Sequence, residues 1–102
     1  MIIEAPYKAN DAITLKITGG DEVVARFVQE DNDTITIQKP LALVASQQGM
    51  ALAPFAFTIE LDAKIKINKS TVVFVYKTQA DMANQYMTST SGVQAAPSNF
   101  KL

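Results

Sequence analysis

Two short polar stretches and one helical stripe in this 102-residue chain carry residue types that could do chemistry. In Lys66-Ile67-Asn68-Lys69-Ser70 a hydroxyl follows an amine, the pair a Ser/Lys nucleophile needs. Adjacent residues of a strand or turn point apart, however, and no oxyanion-forming loop is evident, so Ser70 and Thr71 read as turn polarity. Glu30-Asp31-Asn32-Asp33 offers the oxygen ligands Ca²⁺ requires. It lacks the glycine and distal glutamate of an EF-hand loop, and a solvated turn with Asx-type backbone bonding accounts for it better. Met82, Tyr86 and Met87 could line a partner-binding stripe, although packing onto the body of the domain is the commoner use of such a stripe. Cysteine and histidine are both absent. That removes thiol and imidazole catalysts, disulfides and the usual zinc ligands. The expectation is a protein that is not an enzyme and has no metal or cofactor.

Length and composition bound the rest. The chain suffices for one compact domain. Hydrophobic residues make up 48% and charged residues 19%, so a core can form. Small β domains bury a modest share of their surface and often gain stability by associating. The net charge is -1 with a pI near 5.2, and no polybasic tract advertises DNA or an anionic membrane. The first residues lack the basic and apolar pattern of a signal peptide. The longest uncharged stretch, Pro40 to Ile59, contains Gln47-Gln48-Gly49 and Pro54 and makes a poor membrane span. A soluble, cytoplasmic protein with no membrane partner is expected.

The elements that must position these residues are strands. Ile13, Leu15 and Ile17 alternate with Thr14, Lys16 and Thr18, the period of two that gives a strand one row of side chains on each face. Gly19-Gly20-Asp21 supplies a hairpin turn, and Val23 to Val28 returns antiparallel. The acidic link then leads into a third strand from Thr34 to about Ala45, interrupted at Lys39-Pro40. Leu41 to Ala45 is apolar on both faces, so it must be covered on both sides or sit at a subunit contact. The apolar segment from Ala51 to Ile59 alternates at Phe55, Phe57, Ile59 and Leu61 against Ala56, Thr58, Glu60 and Asp62, which predicts a fourth strand reaching towards Ile67. After a turn at Asn68-Lys69-Ser70, Thr71 to Tyr76 is the fifth strand. Thr78 predicts an N-cap, with a helix near 79–89. The predicted organisation is an N-terminal extension (1–11), a small, strongly bent five-stranded antiparallel barrel (12–77), a C-terminal helix (78–90) and a flexible tail (91–102). The predicted core is Ile13, Leu15, Ile17, Phe27, Ile35, Ile37, Phe57, Ile65, Val72 and Phe74.

At this point the chain resembles the Sm-like (LSm and Hfq) family over roughly residues 12 to 76. The first motif of that family reads here Ile13-x-Leu15-x-Ile17-x-x-Gly20-x-x-Val23-x-Ala25-x-Phe27, then Asp31. Ile67-Asn68-Lys69-Ser70-Thr71-Val72-Val73-Phe74-Val75 stands where the second motif belongs. Small proteins of this kind, with a long segment between the motifs and a helix after the barrel, also look like those encoded by tailed bacteriophages, which would place the chain in a host cytoplasm. SH3-type and OB-type barrels share the alternation alone.

The resemblance implies a homo-oligomeric ring in which the fourth strand pairs with a neighbour's fifth. Candidate interface residues are Val72, Val73, Phe74, Val75, Phe55 and Phe57. It also implies a single-stranded RNA pocket near the two motif turns, with Asp31, Lys66, Asn68 and Lys69 as candidate residues. Two departures bear on that pocket. Thr34 and Ile35 stand where the family carries an RNA-binding asparagine, and Asn68-Lys69 replaces its arginine-glycine pair. The first expectation is therefore a ring-forming binding or assembly module, with a protein partner open. The alternative is an Sm-like protein with weak, low-specificity RNA binding.

Overall fold

A computed structural model describes residues 7–56 and 58–90. Among these, β1 (Ala12–Ile17), β2 (Glu22–Glu30), β3 (Thr34–Ser46), β4 (Gly49–Pro54), β5 (Ile65–Asn68) and β6 (Val72–Lys77) form one antiparallel sheet. A single 3-10 turn, Lys69–Thr71, joins β5 to β6, and α1 (Ala80–Ser89) follows. The sheet order is β4-β3-β2-β1-β6, with β5 also on β3. Strand β3 thus takes β5 along Thr34–Ile37 and β4 along Leu41–Ser46. Among the described residues no pairing joins β6 to β4 or β5, so the sheet is not closed. The chain is mainly β.

Each hairpin follows from its residues. Gly19 and Gly20 sit at φ 109° and 113°, which side-chain-bearing residues rarely adopt, and the Gly20 N–H donates to the Ile17 carbonyl at 2.9 Å. The alternation of β1 and β2 sends Ile13, Leu15, Val23, Ala25 and Phe27 to one face, where they meet Ile35 and Ile37 of β3. Each such aliphatic side chain contributes roughly 1.5–3 kcal/mol on burial. The opposite face carries α1. There Tyr86 packs against Ala12, Val24 and Leu41, with Leu52, Met82, Ala83 and Met87 around them.

Three expectations are corrected. The predicted fourth strand is two strands, β4 and β5, because Pro54 ends the pairing and Phe55 turns its N–H back to the Pro40 carbonyl at 3.3 Å. The Lys39 N–H then donates to the Leu61 carbonyl at 3.1 Å, and the described residues of this intervening stretch form no strand. Phe74 is not core: Lys16 faces Phe74 and Ile17 faces Val72, leaving Val73 as an extra residue. That bulge reverses the side-chain parity of β6, so Val72 and Val75 pack on the core and Phe74 turns out. Gln79, not Thr78, caps α1, its side chain accepting from the Met82 N–H at 3.2 Å. Thr78 is buried and shares a 2.9 Å hydrogen bond with the Thr14 hydroxyl. The predicted core residue Phe57 and the predicted tail lie outside the described residues.

Candidate functional site

The pairing of β5 with β3 gathers the four RNA-candidate residues at one end of the sheet. Asn68 faces Thr34 and Lys66 faces Thr36, which sets β5 beside the acidic link. The Lys69 N–H donates to the Asp33 carbonyl at 2.8 Å. Within the link, Asp31 Oδ1 accepts from the Asp33 N–H at 2.9 Å and the Thr34 N–H at 2.8 Å. The Thr34 hydroxyl donates to the same carboxylate at 3.1 Å. These donors, the Thr34 backbone first, hold the Asp31 carboxyl below its ordinary range, and Lys66 adds a smaller pull in the same direction.

The lysines here are not a free basic patch. Lys69 Nζ lies 3.4 Å from Glu30 Oε1, and the Tyr7 hydroxyl donates to that oxygen at 3.4 Å. Tyr7 is in turn set edge-on against Phe27, ring centroids 4.7 Å apart. Glu30 thus shares the charge of Lys69, and Lys66 acts on the Asp31 carboxylate. Such a turn folds the chain tightly but concentrates little positive potential for phosphate.

The interface candidates divide. Val73, Phe74 and Tyr76 are 63%, 48% and 70% exposed. Val72, Val75 and Phe55 are half-buried against the core. The last candidate, Phe57, lies outside the described residues. Among the described residues no strand covers the outer edge of β6.

Sequence reasoning missed three features. Val44 and Met50 are exposed at the tip of the β3–β4 hairpin, and the uncharged run around them was the available signal. Beneath α1, an Arg26 terminal nitrogen donates to the Met87 sulfur at 3.6 Å, while its buried Nε has no partner among the described residues. Nearby, Lys39 donates to the Asp62 carboxylate and holds that carboxyl below its ordinary range. Nothing in the sequence pointed to this pairing.

Among the described residues no helix is long and apolar enough to cross a membrane, and no cluster of three or more His, Cys, Asp or Glu could hold a metal ion. No protein-family model and no curated protein matches this chain.

Proposed function

We propose that this chain is a non-catalytic assembly module whose copies join edge to edge into a ring on the Sm-like plan. The observation that carries the reading is the outer edge of β6, where Val73, Phe74 and Tyr76 are exposed beside an edge that no described strand covers. Proteins guard such edges with charge, proline or a covering element, and Val72 to Tyr76 contains no charged residue and no proline. A sheet whose two ends are different strands offers a heterologous contact, and heterologous contacts close into rings where the rotation permits. We read the sheet as a small bent barrel whose last seam a neighbour completes. The return of β5 onto β3 and the 3-10 turn before β6 support that reading.

RNA binding is the second reading, and the carboxylates around Lys66 and Lys69 weigh against it. Solution mass at micromolar concentration tests the first, with the ultraviolet absorbance ratio read in the same run. The chain has no Trp and three Tyr, so co-purified nucleic acid would dominate that ratio. A defined multiple of the 11.1 kDa chain mass is expected, free of nucleic acid. A monomer would overturn the ring.

A further inference from the structure

We infer that Met87 is an oxidation site whose sulfoxide is bound by Arg26, so that oxidation fastens α1 to the sheet instead of loosening it. Arg26 lies in the middle of the sheet, opposite Ala12 of β1 and Gln38 of β3, on the face that carries α1. Its Nη2 donates to the Met87 sulfur at 3.6 Å, across 61 residues of chain. Its Nε is shut off from solvent and has no partner among the described residues. The Asp62 carboxylate feels the Arg26 charge but accepts from Lys39.

The two donors are neighbours. Nε–H and one Nη2–H point the same way along one edge of the planar guanidinium, the edge that takes a carboxylate or phosphate side-on. Here a thioether, a weak acceptor, stands at that edge and uses only one of the two donors. A buried donor left unsatisfied is a standing cost to the fold. What the edge lacks is an oxygen, and solvent cannot deliver one to a closed Nε.

The sulfur already seated there gains that oxygen in a single two-electron step. Met87 is half-buried, within reach of a molecule as small as hydrogen peroxide. The sulfur gives an electron pair to one peroxide oxygen, and the S–O bond forms as the O–O bond breaks. The other oxygen takes the proton of the first and leaves as water, so sulfur is oxidised and peroxide reduced by two electrons. The unbranched methionine side chain lets the new oxygen turn to the fork. A hydrogen bond from a charged donor is about twice as strong as a neutral one. Methionine sulfoxide ordinarily disrupts apolar packing. At Met87 the guanidinium reverses that sign.

The test uses the full chain carrying Met50→Leu and Met82→Leu, volume-conserving changes that leave Met87 and Met1. After hydrogen peroxide treatment, the added oxygen is located by the masses of tryptic fragments, which separate Met1 from Met87. Melting midpoints are compared before and after oxidation, in this background and with Arg26→Lys, which keeps a charge without the fork. One oxygen at Met87 is expected, with a midpoint raised by roughly 4–8 °C when Arg26 is present and lowered when it is lysine. The Arg26 Nε–H resonance should move downfield on oxidation, a change that altered packing alone does not produce. Should Arg26→Lys fail to fold, Met87→Gln against Met87→Leu repeats the comparison without oxidant, the amide oxygen standing in for the sulfoxide oxygen. The glutamine variant should then melt higher, and the reverse order would overturn the inference. An equal fall in midpoint on oxidation with Arg26 and with Arg26→Lys would overturn it. So would a Met87 left unmodified under conditions that oxidise Met50, 58% exposed, in the unmodified chain. A rise in the midpoint of the reduced chain with inorganic phosphate, lost in Arg26→Lys, would assign the fork to a free oxyanion and overturn it as well.

Discussion

The Tyr86 hydroxyl donates a 2.6 Å hydrogen bond to the Lys39 carbonyl, across the 47 residues that separate α1 from the middle of β3. Lys39 sits at φ 53°, a conformation that costs a residue with a side chain about 1 kcal/mol or more. Lys39 and Pro40 together face the single residue Ala25, since Val24 pairs with Leu41 and Arg26 with Gln38. The bulge turns a carbonyl out of the ladder, and the tyrosine of α1 satisfies it. Burial pushes the Tyr86 hydroxyl well above its ordinary range, so it stays a donor at any working pH. The seat of α1 is therefore keyed to a kink in β3.

Tyr86→Phe keeps the ring and removes that donor. A carbonyl left short of its partner costs about 1–3 kcal/mol. For a domain of this size, each kcal/mol lowers the melting midpoint by roughly 4–8 °C. A Tyr86→Phe melt that overlays that of the unmodified chain would show that α1 is held by packing alone.

Leu15 and Phe74 should respond oppositely to truncation. Leu15 is fully buried between the β2 and β3 core residues, and Leu15→Ala should cost about 2–5 kcal/mol. Phe74 is half exposed on the far side of the β6 bulge, so Phe74→Ala should leave the unfolding of a dilute, dissociated chain within about 0.5 kcal/mol. Urea titrations of both variants check this. Equal destabilisation would return Phe74 to the core.

The alternation of Ile13, Leu15 and Ile17 made β1 legible, and with it β2 and most of the core, because a period of two leaves little freedom of face. Bulges erased the rest. One extra residue at Val73 exchanged the faces of Val75 and Phe74, and no composition signal marks where a bulge falls. Phe55, Phe57, Ile59 and Leu61 gave the same signal as a strand, yet the described residues there form none, Phe55, Leu61 and Asp62 being tied to Pro40, Lys39 and Gln38 of β3. The order of the strands brings the Asp31 link to the end of β5 that carries Lys66 and Asn68 and leads into Lys69. The ion pair there was not legible, because it depends on Glu30 at the end of β2 meeting Lys69 after β5.

The Asp31 turn should make stability fall in acid. Its carboxyl is held below the ordinary range by the Thr34 and Asp33 donors, so the folded state favours the ionised form. The sign follows: this contribution is present above the unfolded value of about 4 and is lost as pH falls through the depressed folded value. Asp31→Ala should flatten the stability profile below about pH 4 and lower the plateau above it. Profiles that stay parallel through the acid range would mean that the turn is not ionisation-linked.

The Sm-like resemblance places a base-binding asparagine where this chain has Thr34 and Ile35. The Thr34 hydroxyl is bound to the Asp31 carboxylate and Ile35 is buried, so neither offers an amide to a base edge. Asn68 stands in place of an arginine, which removes a planar cation that could stack or fork to phosphate. The remaining charges are shared, Lys69 with Glu30 and Lys66 with Asp31. A stacked base or a lost contact of this kind is worth on the order of 1–3 kcal/mol, and a ring repeats the loss in every copy. Binding of oligo-U should therefore be weak, sequence-tolerant and steeply dependent on salt, with log affinity falling by about 0.7 per neutralised phosphate for each tenfold rise in salt. Glu30→Gln frees Lys69 and should strengthen the binding. Lys66→Ala with Lys69→Ala should abolish it. Oligo-U retained at nanomolar concentration in physiological salt, and still retained by the double-alanine variant, would show that the chain binds RNA on another surface.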